Sequence, residues 1–222
     1  MLVKLKKIMS QKVDFKYNDG SKIFFTSDSH FNHENIIKFC QRPFNTLEEM
    51  DKGLIENWNE VVPQDGIVFH LGDFAWGGFP KWREIREQLN GEIFLIKGNH
   101  DRKNGPQSQE NYDELFQYTT QQMFINIEGR MIYLNHVPFL CYDGVYRENN
   151  GLTYQLHGHV HLSNIREKNT GKDCERCFSL LFPTQYDVGV DFNNFRPVSW
   201  YEINSKITSQ IESGTNIKKW IH

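Results

Sequence analysis

Gly66-Ile-Val-Phe-His-Leu-Gly-Asp73, followed one helix later by Glu92-Ile-Phe-Leu-Ile-Lys-Gly-Asn-His-Asp101, decides the fold of this chain. Each segment opens as a short apolar run and ends in glycine and polar groups, the pattern of a strand running into a loop. Between them Pro80 to Leu89 reads as a helix, with proline at a tolerated first turn and Asn90-Gly91 ending it. Upstream, Lys22-Ile-Phe-Phe-Thr-Ser27 is an equivalent run that ends at Asp28. From Asn35 to Trp58 the pattern turns helical: Ile36, Ile37 and Cys40, then Leu47, Met50, Leu54, Ile55 and Trp58 recur at three- and four-residue steps. Arg42-Pro43 divides that stretch into two helices, and Thr46 with Glu49 offers a cap for the second. Strands alternating with helices imply parallel βαβ units. In such sheets a ligand site lies at the carboxyl ends of the strands. Asp28-Ser-His30, Gly72-Asp73 and Gly98-Asn-His-Asp101 therefore share one edge.

The second half changes character. Met123 to Ile127 and Met131 to Asn135 read as a hairpin turning at Gly129, and its second strand runs into His136. Leu152 to Leu156 runs into His157-Gly-His-Val-His161, and Tyr186 to Asp191 is a further strand. Ser199-Trp-Tyr-Glu202 has the form of a capping box opening a helix through about Ile211. Residues 1–20 lack periodicity and are expected to form an arm or an edge element. Residues 163–185 read as a loop excursion.

At 222 residues the chain suits a single domain over 1–222. The 38% hydrophobic and 24% charged fractions are those of a folded globular protein. A net charge of −3 gives no global basic field, which argues against a nonspecific duplex binder. It leaves room for a small anionic substrate, because bound cations bring their own charge. Four cysteines in a chain this long do not make a disulfide scaffold, so a reducing, cytoplasmic setting is expected. The N-terminus lacks the apolar stretch of a signal peptide, and no run approaches the roughly 18 apolar residues of a membrane helix. The oligomeric state is not written in the sequence.

The five strand-end blocks carry carboxylate, imidazole and amide groups, all ligands for divalent metals. In an extended segment alternate residues point the same way, so Asp28 and His30 are expected to grip one ion, and His159 and His161 to share a face. Gly72 allows close backbone approach beside Asp73, whose carboxylate is placed to bridge two ions. Asn99 offers an amide oxygen, an unusual and hence informative ligand. Singly, each block has a plain structural explanation: a turn, a helix cap or a hydrogen-bonded imidazole. The ordered set amounts to ligands for two metal ions, the composition of a hydrolytic centre.

This ordered set, D-x-H, G-D, G-N-H-D, H and G-H-x-H over Asp28 to His161, closely resembles the calcineurin-like metallophosphoesterase superfamily, in particular its small single-domain bacterial or phage members. Asp187-Val-Gly-Val-Asp191 and Arg42-Pro-Phe44 add to the likeness. The resemblance implies an α/β, layered fold: a four-layer α/β/β/α sandwich. It implies a dinuclear metal-dependent phosphoesterase, a phosphodiesterase or phosphatase with a small substrate favoured. Asp28, His30 and His161 would hold one metal, Asp73 would bridge, and Asn99, His136 and His159 would complete the second. His100 would contact phosphate and protonate the leaving oxygen, oriented by Asp101. The nucleophile would be a metal-bridging hydroxide. The ligand set suits Mn, Fe, Zn or Ni. Two other expectations stay open: a nuclease acting on DNA or RNA ends, and a noncatalytic metal-binding scaffold.

Outside the blocks, His33 and Arg42 are candidate substrate contacts; the alternatives are a helix N-terminal residue and a surface salt bridge. Arg102 is a weaker candidate of the same kind. His70 and His157 lie inside strand runs and suit core positions beside ligands. Cys174-x-x-Cys177 lacks a partner pair for a structural zinc and reads as a plain loop. Trp76, Phe79 and Trp82 offer either core packing for their helix or a stacking wall for a nucleobase, with packing preferred.

Overall fold

The computed structural model describes residues 15–142, 152–161 and 181–213. Residues 1–14 and the cysteine pair at 174 and 177 lie outside these, as does most of the expected excursion over 163–185. Ten strands form two five-stranded sheets among the described residues. The first sheet has the order β10-β2-β3-β4-β5, made by Val198–Ser199, Ile23–Thr26, Ile67–His70, Glu92–Ile96 and Tyr118–Thr120. Strands β2 to β5 run parallel and only β10 is antiparallel. The second sheet has the order β1-β6-β7-β8-β9, made by Phe15–Tyr17, Gln122–Ile127, Arg130–Asn135, Tyr154–His157 and Gln185–Asp187. Its β6–β7 hairpin is antiparallel and turns at Glu128-Gly129, while β7, β8 and β9 are parallel. The segment before residue 20 supplies β1, an edge strand parallel to β6.

Helices α1 (Glu34–Phe39) and α2 (Leu47–Val61) are separate, as Arg42-Pro43 foretold, and the Thr46 hydroxyl accepts the Glu49 N–H at the start of α2. The expected 80–89 helix is α3 (Gly78–Arg86), displaced toward its N-terminus because Gly77, at φ +100°, begins the turn earlier. A short α4 (Asp101–Asn104), α5 (Gln109–Leu115) and β5 follow β4. They continue the alternation further than the apolar pattern shows. Helix α6 (Trp200–Glu212) opens with the complete Ser199–Glu202 capping box.

Two apolar cores separate the layers. One lies between the first sheet and the helices: Met50, Leu54 and Trp58 of α2 and Trp82 and Ile85 of α3 meet Phe24, Val68 and Leu95. The other lies between the sheets, where Phe25, Phe69 and Ile96 face Ile125, Leu134 and Leu156, and α6 adds Trp200, Ile203 and Ile207. Burial of such side chains contributes about 1.5–3 kcal/mol each. The fold class is the expected layered α/β arrangement. No helix among the described residues is long and apolar enough to cross a membrane.

In-register pairing of Thr26 with His70 and of His70 with Leu95 makes β2, β3 and β4 end at one level. The second sheet is held to the same edge by a bridge from Ser27 to Gly189 and by the His159 N–H donating to Asp28 Oδ2 (2.8 Å).

Candidate metal centre

The chain reverses sharply where each strand stops. Asp28, His30, Asp73, His159 and His161 all adopt left-handed backbone, with φ between +46° and +71°. That conformation costs a residue with a Cβ about 1–3 kcal/mol and persists where its surroundings over-determine it. The expected extended, alternating geometry for Asp28/His30 and His159/His161 is therefore corrected. These pairs converge through successive left-handed turns, held by Asp28 N–H to the Gly72 carbonyl (2.9 Å) and His30 N–H to the Asp73 carbonyl (3.0 Å).

Two ligand groups overlap at Asp28. Asp28, His30 and His161 form one, and Asp28, Asp73 and His136 the other, with donor atoms in each within 4.8 Å of one another. Asp73 Oδ2 lies 3.6 Å from His30 Nε2 and 3.4 Å from His136 Nε2, between the two groups. His161 Nε2 stands 3.6 Å from Asp28 Oδ1. The Asn99 side-chain oxygen is 3.0 Å from both His136 Nε2 and His159 Nδ1. All seven residues that the resemblance nominates thus meet at one edge of the two sheets.

Their chemistry fits divalent cations. Asp28 Oδ1 and both ring nitrogens of His30 are buried without a hydrogen-bond partner. Leaving such atoms unpaired is costly, and a metal would satisfy them. Burial, reinforced by His161 and Arg42, pushes His30 well below the usual imidazole range, so its ring is neutral and able to ligate. Burial opposes protonation of His136 and His161, but their carboxylate neighbours prevail. Asp73 and Asp28 raise His136 to about 9, and Asp28 with Asp191 raises His161 well above its usual value. Positive charge is favoured at both places, and a cation that displaces those protons would supply it.

A surrounding shell fixes the ligands. The His136 Nδ1–H donates to the Leu71 carbonyl (2.7 Å), turning Nε2 inward. The His161 Nδ1–H donates to Asp191 (2.8 Å), with the same effect. His70 accepts the Gly72 N–H at Nδ1 (3.2 Å) and faces Ser29 Oγ with Nε2 (2.9 Å), and burial holds it neutral with a pKa of about 3. His157 is buried behind the ligands and lowered to about 4 by the same cause. Asp191 was not nominated as a functional residue; its place at the end of Asp187-Val-Gly-Val-Asp191, beyond a strand, was the available signal.

Two nominated residues are engaged in structural contacts. Arg42 is buried and fully engaged: Nε and Nη2 pair with Asp191 at 2.8 and 3.0 Å, and Nη1 and Nη2 donate to the Ser29 and Asp28 carbonyls at 2.8 and 2.7 Å. It braces the Asp28–His30 turn and does not face substrate. Asp101 is also buried, and its oxygens accept the N–H groups of Asp73 (2.9 Å), Phe74 (2.9 Å) and Gly98 (2.7 Å). It ties the β3 and β4 loops together, and no hydrogen bond joins it to the His100 ring among the described residues. Both sets of contacts have one cause: a buried charge takes every donor or acceptor within reach.

His100 is half-buried beside the group, with its backbone N–H donating to Asp73 Oδ1 (2.9 Å) and its ring 5.4 Å from that of His30. His33 reaches the same place. Its ring stacks on Trp76 at 3.9 Å and lies 5.4 Å from His30. Trp82 is core and Phe79 packs against it, as preferred, whereas Trp76 stands half-exposed between His33 and His100.

Comparison with known proteins agrees with this geometry. The calcineurin-like phosphoesterase family matches residues 21–177. An uncharacterized protein of Methanocaldococcus jannaschii is 38% identical over 183 residues, covering 80% of this chain and 86% of that one. The gene 66 protein of Mycobacterium phage D29 is 27% identical over 197 residues, covering 77% and 88%. A crystal structure of an Aquifex aeolicus protein of unknown function superposes with a TM-score of 0.61 at 25% identity, covering 82% of this chain and 97% of that one. With its motifs assembled on a matching layered fold, the chain belongs to the calcineurin-like phosphoesterase family.

Proposed function

We propose that this protein is a dinuclear metal-dependent phosphoesterase acting on a small phosphodiester or phosphomonoester. The observation that carries the proposal is the set of buried, unpartnered donor atoms on Asp28 and His30, enclosed by Asp73, His136 and His161. Asp28, His30 and His161 would hold one ion, Asn99, His136 and His159 the second, and Asp73 both. Divalent ions such as Mn, Fe, Zn or Ni, when bound, activate water and neutralise phosphoryl charge. The chain's own part is positioning. Arg42 and Asp191 set the first group, Asp101 sets the loops that carry Asp73 and Asn99, and His100 at the rim donates a proton to the leaving oxygen.

The test is hydrolysis of bis(p-nitrophenyl) phosphate and p-nitrophenyl phosphate by protein loaded in turn with each metal, with metal content measured in parallel. Turnover that tracks metal content is expected. A fully loaded protein inert toward every phosphoester would sink the proposal and favour a binding scaffold.

A further inference from the structure

A cavity of about 600 Å³ opens beside the Asn99–His136 flank of the centre, walled by the ends of β4 and β5 and by the β6–β7 hairpin. Its lining contains Lys97 and Arg102 and no carboxylate. That runs against the chain as a whole, where 28 acidic residues exceed 25 basic ones. Arg102 is exposed, and its hydrogen bond to the Gln121 side-chain oxygen is long, at 3.5 Å. Arg102 forms no salt bridge among the described residues, whereas the Lys97 ammonium lies over the Tyr112 ring at 3.5 Å and feels the charges of Asp101 and Asp113. The same cavity presents aromatic side chains from Tyr118, Phe124 and Phe139. Tyr118 is among the few large apolar side chains left exposed.

Three properties coincide. The cavity shares Asn99 and His136 with the centre, so a group lying in it adjoins the candidate ligands. A volume near 600 Å³ is that of a site for one small organic group. An exposed guanidinium without a carboxylate partner recognises an anion, since guanidinium and phosphate pair by charge-assisted hydrogen bonds. Exposed aromatic faces accept a planar base.

We infer that the substrate is a nucleotide phosphodiester, one of whose arms lies in this cavity with its base against the aromatic wall and a second phosphate on Arg102. This rests on the phosphoesterase proposal above and narrows it to a substrate class.

Two substrates with one reacting group test it: thymidine 5′-(p-nitrophenyl phosphate) and the same compound carrying a 3′-phosphate. Both release p-nitrophenol from the same diester. The protein is expected to favour the 3′-phosphorylated compound by about tenfold or more in kcat/KM, the effect of one charge-assisted contact. Arg102→Gln should bring that ratio close to one. Because a ratio is read within one preparation, partial loss of metal or fold cancels. A ratio near one in the unaltered protein, or one that survives Arg102→Gln, overturns the inference. If no phosphoester is hydrolysed by loaded protein, the phosphoesterase proposal has failed, and calorimetry with thymidine 3′,5′-bisphosphate on metal-free protein decides the cavity alone. Binding weakened about tenfold by Arg102→Gln supports the site; no binding, or equal binding, overturns it.

Discussion

Arg42 and Asp191, 149 residues apart in the chain, meet side-on in a buried two-point ion pair beneath the ligands. Burial opposes ionisation of Asp191, but Arg42 and then His161 hold it at about 2. Arg42 also takes the carbonyls of Asp28 and Ser29, while Asp191 takes the His161 ring. One ion pair therefore orients Asp28 and His161, distant in the sequence, toward the same candidate ligand group.

Asp191→Asn should accordingly act twice. Neutralising one partner leaves Arg42 uncompensated and costs about 3–5 kcal/mol of stability. Releasing the His161 ring lowers metal affinity by about 10–100-fold. Urea unfolding of metal-free protein reads the first effect and metal titration of the folded variant the second. A folded variant with unchanged affinity would show that His161 holds its orientation without Asp191.

Asp101 and His100 are neighbours with separable tasks. Burial, and then the nearby Asp73 charge, push the Asp101 carboxyl up to about 6, and it still collects three backbone N–H groups. Asp101→Ala leaves those donors buried and unpaired, so a loss of about 2–4 kcal/mol is expected. His100→Ala removes a half-buried ring from the rim and should change stability by less than about 1 kcal/mol while cutting turnover about 100-fold or more. If Asp101 works by orienting His100 instead, Asp101→Ala will leave stability near that of the parent and lose turnover alone.

The strands and their meeting edge were legible because short apolar runs ending in glycine and a polar residue carry both fold and site in one pattern. The β2, β3 and β4 ends at Asp28, Asp73 and Asn99 needed nothing beyond parallel topology. Roles were less legible than positions. An Arg-Pro pair beside a ligand motif looks alike whether the guanidinium faces a substrate or a carboxylate 149 residues away, and only tertiary contact decides. The left-handed turns at Asp28 and His159 were hidden for a related reason. Local propensity places aspartate and histidine in ordinary backbone, and the strain is imposed by neighbouring strands.

Two glycines turn that strain into a prediction. A Cβ on Gly98 would sit 2.2 Å from Asp73 Oδ1 and 2.7 Å from the Asp73 nitrogen, and one on Gly158 would sit 2.1 Å from Asp28 Oδ2. Neither position has the positive φ that would strain an alanine by itself, so the cost is contact with a ligand carboxylate. Gly98→Ala and Gly158→Ala should each weaken metal binding about tenfold or more and destabilise the apoprotein by about 1–3 kcal/mol. Gly129, with φ +84° but open space around a Cβ, is the control: Gly129→Ala should cost about 1 kcal/mol and leave metal affinity alone. Equal metal affinity across all three variants would mean that the ligand loops yield easily.

Outside the candidate ligand groups, Glu202 gives a pH-dependent prediction whose sign is fixed. Its carboxylate accepts from Arg196 (2.7 Å) and from the Ser199 N–H (3.2 Å) and hydroxyl (2.9 Å). The Arg196 contact is the largest cause that lowers its pKa from 4.5 to about 2. A folded pKa below the unfolded one means that the contribution is complete above about pH 4.5 and fades as pH falls toward 2. The side chain is 42% exposed. Solvent screening therefore holds the effect to about 1 kcal/mol, or about 2–4 °C in melting temperature. Glu202→Gln should melt lower than the parent by that margin at pH 7, and the gap should close between pH 4.5 and 2 as the parent loses its charge. Paired thermal melts at matched ionic strength read the gap directly. A gap that persists at pH 2 would assign the effect to the neutral hydrogen bonds of the capping box instead of the ion pair.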